Sequence, residues 1–136
     1  MNKKIVVGIL VFVILTMIFF ATMTFFYVKQ FTNIEKLDNF SKEIYSDYHT
    51  CLIEEENSIN LEEICGQRIE IFNDEYKKII IETRGISEEQ YNIEKTWARE
   101  ARPDFKLELG LSCVNQYKEF PVNEIFELCL PSKIGR

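Results

Sequence analysis

Residues 5–28 read IVVGILVFVILTMIFFATMTFFYV, 24 consecutive positions without a charged side chain. A helix needs about 20 apolar residues to cross the hydrocarbon core of a bilayer, so the run predicts a membrane span. Lys3 and Lys4 precede it, which is also how a cleaved signal peptide begins. Signal-peptide apolar regions are typically about 7 to 15 residues long and end in a small-x-small pattern. Ala21, Thr22, Met23 and Thr24 meet that pattern poorly, and Phe25 and Phe26 follow them. An uncleaved signal anchor is therefore expected. Thr16, Thr22 and Thr24 within it can bond back to their own helix, and no Asp, Glu, Lys, Arg or His is present to carry a proton or ion path.

The positive-inside count is nearly even, with Lys3 and Lys4 on one side and Lys29, Lys36 and Lys42 on the other. Cysteine usage breaks the tie. Cys51, Cys65, Cys113 and Cys129 in so short a domain suit an oxidising compartment, and nearly all the mass follows the span. The expected order is a short cytoplasmic tail (1–4), the transmembrane signal anchor (5–28), a juxtamembrane helical stalk that is part of the domain (29–50), an extracytoplasmic helical domain (51–130) and a loose tail (131–136).

Residues 29–136 hold 14 Lys and Arg against 22 Asp and Glu, a net charge of −8. Binding to nucleic acid or anionic lipid through net charge needs a basic footprint, so both are disfavoured as partners of this region. About 100 residues can bury one modest core, for which extra staples help.

The fold class expected is mainly α, with about four to five helices after the span. Phe31, Ile34, Leu37, Ile44, Tyr48 and Cys51 recur at helical steps with no Gly or Pro between them, which continues the anchor as a stalk. Asn57, Ser58 and Asn60 form a turn-like cluster, and Asn60 with Glu63 has the form of a capping box. The helix begun there carries Leu61, Ile64, Cys65, Ile69, Phe72, Tyr76, Ile79 and Ile80 on one face and should stop at Gly85. Ser87 can cap a third helix, with Gln90 returning the bond and Ile86 stapling onto Tyr91, and Pro103 should end it at Arg102. Residues 105–113 alternate as a strand would, yet Phe105, Leu109, Cys113 and Tyr117 also fall at steps of four. A lone strand would lack a partner, which favours a fourth helix, a break at Phe120 and Pro121, and a short fifth through Ile125, Phe126 and Cys129.

The cysteines carry the most specific statement. Cys51 and Cys65 lie seven residues either side of Ser58, and Cys113 and Cys129 lie eight either side of Pro121. In an antiparallel helical hairpin, positions equidistant from the turn come level, so the pairings Cys51 with Cys65 and Cys113 with Cys129 are expected. Zinc and haem would want CxxC or CxxCH spacings, which do not occur; no metal, cofactor or catalytic set is expected.

Ile93, Trp97, Arg99 and Arg102 join residue types enriched at binding hot spots, and they are the expected interface if the third helix projects Trp97 outward. The competing reading makes Trp97 core and pairs the arginines with Glu94 and Glu100. The function expected is that of a membrane-anchored extracytoplasmic binding protein rather than an enzyme: an accessory or assembly subunit of an envelope complex, or a tethered inhibitor, with a protein partner. The alternative is a thiol-based redox protein or enzyme using Cys51 and His49, which would need an exposed thiol of lowered pKa.

Overall fold

The computed structural model describes residues 2–134; Met1, Gly135 and Arg136 lie outside it, and with them the end of the expected tail. Two compact units are present, residues 1–33 and 34–136. Among the described residues the secondary structure is entirely helical: α1 (Lys3–Glu54), α2 (Leu61–Ile69), α3 (Asn73–Arg84), α4 (Glu88–Glu94), α5 (Phe105–Gln116) and α6 (Val122–Cys129), with 3-10 turns at Glu70–Phe72 and Arg99–Ala101.

In the first unit α1 is long and apolar enough to cross a membrane, and none of its most apolar 18-residue window is buried. The Thr16, Thr22 and Thr24 hydroxyls each donate to a carbonyl three or four residues earlier at 2.8 Å, so the threonine hydroxyls of the run are satisfied within the helix.

In the second unit the last turns of α1 are the element around which the rest packs. Phe31 and Ile34 are exposed, and the apolar stripe enters the core only at Phe40, Ile44, Tyr45, Tyr48, Cys51 and Leu52. Phe72 meets Phe40 edge-on at 6.0 Å. Arg68 of α2 reaches Glu54 at 2.8 Å and Asp47 at 3.4 Å. The second expected helix is divided, because its central turn tightens to 3-10 geometry at Glu70–Phe72. Its apolar face survives the break, with Cys65, Ile69, Tyr76, Ile79 and Ile80 buried and Ile64 left partly exposed.

Both cysteine pairings are those expected from symmetry about the turns. Cys51–Cys65 joins α1 to α2, and Cys113–Cys129 joins α5 to α6. Residues 105–116 are helical, which resolves the helix-or-strand ambiguity in favour of the helix.

Local signals fared unevenly. Gly85 adopts φ 65° and ψ 33° after α3, where a residue with a Cβ would be strained, and Ser87 Oγ accepts the Gln90 N–H at the start of α4. The Gln90 side chain bonds Glu94 instead of returning to Ser87. Asn60 does not cap α2 through its side chain: φ −114° and ψ 46° take it out of the extended conformation a cap requires. The expected loose tail begins packed, since Pro131 is buried and the Ser132 N–H donates to Asp38 of α1 at 3.0 Å.

Candidate functional site

The third expected helix ends early, and this decides how the candidate interface is presented. α4 stops at Glu94 rather than Arg102. The Thr96 hydroxyl bonds the Ile93 carbonyl at 2.7 Å, a local alternative to helix continuation. The Trp97 N–H closes a tight turn onto the Glu94 carbonyl at 3.1 Å. Beyond it Ala98 is extended, Arg99–Ala101 make one 3-10 turn, and Arg102 is extended at ψ 146°, as the residue before Pro103 must be.

Trp97 therefore sits on an irregular bend rather than a helix face. It is 47% exposed and Ile93, in the last turn of α4, is 48% exposed, so neither is core. Arg99 and Arg102 do not pair with Glu94 or Glu100. Both converge on Glu108 of α5, Arg99 Nε at 3.0 Å and Arg102 Nη2 at 2.5 Å. Their acceptor lies nine and six residues away, on a different element, so no i,i+4 rule could have found it.

Glu94 is buried and ion-paired with Arg84, with Gln90 donating to its second oxygen at 3.1 Å. The Arg84 guanidinium, helped by Gln90, holds the Glu94 carboxyl below the usual carboxylate range. This anchors the end of α4 to α3. At the end of α4 Lys95 reaches Asp104 at 3.5 Å and lies 6.0 Å from the Tyr91 ring centre, with Lys77 at 5.6 Å from the same ring. The bend is thus pinned at Glu94, Lys95, Arg99 and Arg102, while Ile93 and Trp97 remain open to solvent. A half-exposed indole on a bend whose guanidinium groups are already held by a carboxylate can bind with little further ordering cost.

His49 and Cys51 are not arranged as an imidazole and thiolate couple. Cys51 is 1% exposed and disulfide-bonded. The His49 Nε2 lies 2.8 Å from the Lys118 carbonyl oxygen, which ties α1 to the turn between α5 and α6. The pair serves packing here.

No known protein family, curated protein or solved structure matches this chain.

Proposed function

We propose that this chain is a single-pass membrane protein whose extracytoplasmic helical domain acts by binding a protein partner, as an accessory or assembly subunit of an envelope complex or as a tethered inhibitor. The reading rests most on Trp97, half-exposed on a bend that four ion pairs hold in place. An aromatic residue of that size left open on an otherwise well-fastened loop is what a binding hot spot requires. The apolar stretch from Ile5 to Val28 supports a membrane anchor, and two disulfides support an oxidising compartment, with the N-terminus cytoplasmic.

Trp97→Ala is the test. Partner capture from solubilised membranes by chemical cross-linking should fall by about 30-fold in apparent affinity, the equivalent of ~2 kcal/mol at a hot spot. The thermal midpoint should scarcely move. Arg99→Ala, at the more exposed guanidinium, should weaken capture in the same direction. Arg102→Glu is a poorer probe, because it would set a second carboxylate against Glu108. A stability loss of ~3–5 kcal/mol in Trp97→Ala, the scale of a truncated core aromatic, with capture unchanged would overturn the reading.

A further inference from the structure

Between α2 and α5 the domain surface is cut by a groove of about 640 Å³. Gly66, Ile69, Leu107 and Leu111 line its apolar part, Ile69 and Leu107 as buried core side chains whose edges form the floor and Leu111 partly exposed. Glu63 and Glu70 also line it from the α2 side, exposed and without an ion-pair partner among the described residues. On the α5 side Asp104 and Glu108 already hold Lys95, Arg99 and Arg102. The unneutralised charge of the groove is therefore negative and concentrated along one wall.

Gly66 adds an independent observation. It lies inside α2, its backbone is ordinary helix, and a Cβ built on it would meet nothing within 4 Å. Gly110 shows what an internally required glycine looks like, with a buried ring pressed against it. Nothing inside this domain needs the missing side chain of Gly66, although glycine is the poorest helix former after proline. A bare patch of helix backbone beside an apolar floor permits close approach by something from outside.

We propose that this groove receives a basic amphipathic helix from a partner protein, its apolar residues over Ile69, Leu107 and Leu111, its backbone close to Gly66, and its lysines or arginines toward Glu63 and Glu70. Anchors at i, i+3, i+4 and i+7 suit an apolar floor of this kind, and the net charge of −8 over residues 29–136 steers cations toward it. The inference rests on the domain being a binding module; Trp97 does not line this groove, although Asp104 and Glu108 on its α5 wall also fasten the Trp97 bend.

The probe is a synthetic helical peptide with leucines at i, i+3, i+4 and i+7 and flanking lysines, titrated against the full chain in phosphatidylcholine nanodiscs, with empty nanodiscs as the blank. Saturable binding is expected above the blank, with methyl shifts at Ile69, Leu107 and Leu111. The same peptide with glutamates for lysines should not bind. Glu63→Lys with Glu70→Lys should weaken binding about 10-fold. Gly66→Ala should raise the thermal midpoint by about 4 °C while also weakening binding, a combination that no purely structural role of Gly66 produces. Trp97→Ala should leave peptide binding intact, so failure here and failure of the Trp97 interface are separable. Absence of saturable binding, binding indifferent to both lysine substitutions, or self-association of the chain through Gly66 without peptide would each overturn the proposal.

Discussion

Gly110→Ala is expected to remove a large share of the domain's stability, on the order of 3 kcal/mol or more, from a total that for single domains is typically ~5–15 kcal/mol. A Cβ at this position of α5 would stand 1.7 Å from the Tyr45 Oη and 2.4 Å from its Cζ. Tyr45 is fully buried, so its ring has nowhere to swing without opening the contact between α1 and α5. Burial pushes the Tyr45 phenol well above its usual pKa, and the Ser41 hydroxyl opposes only part of that shift without completing a hydrogen bond of ordinary geometry. Tyr45→Phe alone should thus be close to neutral, since it deletes a buried hydroxyl that has no partner. Combined with Gly110→Ala it should recover only part of the loss, because the ring carbon at 2.4 Å remains in the way. Thermal and denaturant unfolding of the full chain followed by circular dichroism would read these effects. A cost below ~0.5 kcal/mol for Gly110→Ala would mean that α1 and α5 do not pack through this contact.

Loss of the disulfides is the second large effect. Cys51–Cys65 and Cys113–Cys129 are separated by 14 and 16 residues, and closing loops of this size stabilises by about 3 kcal/mol each. Cysteine-to-alanine replacement of either pair should lower the thermal midpoint by roughly 15 °C for a domain of about 100 residues. Alanine is the right replacement at the fully buried Cys65 and Cys129, where serine would add a hydroxyl to bury. The two losses should be close to additive, because the pairs join different helices. A domain whose midpoint ignored both replacements would have its cohesion elsewhere, in the α1 stripe alone.

The parts of this fold that could be read from the chain depend on local symmetry or on strong punctuation. The cysteine pairings followed from equal spacing about Ser58 and Pro121, which becomes equal height in a hairpin. Gly85, Ser87 and Pro103 acted as their conformational preferences dictate. The parts that could not be read depend on contacts between distant residues. Lys95 to Arg102 has no strong helix breaker before Pro103, yet α4 ends at Glu94, where Arg84 holds the carboxylate and Asp104 draws Lys95 away. Glu108, which gathers Arg99 and Arg102, carried no local mark of that role. Gly110 carries no sequence signal of its role, and only the packed ring of Tyr45 shows why alanine would fail there. Of the candidate interface, Ile93 and Trp97 are both exposed, but only Ile93 lies on the helix and Trp97 sits on the pinned bend beyond it.

The proposed function needs the disulfide-stapled domain to lie outside the cell membrane, anchored by residues 5–28. Protease added to intact cells that carry the full chain tests this most directly, with the N-terminal segment followed by an epitope placed ahead of Lys3. The region from Lys29 onward should be digested while a membrane-embedded N-terminal fragment survives. Full protection of that region, with cleavage only after lysis, would place the domain on the cytoplasmic side and contradict it.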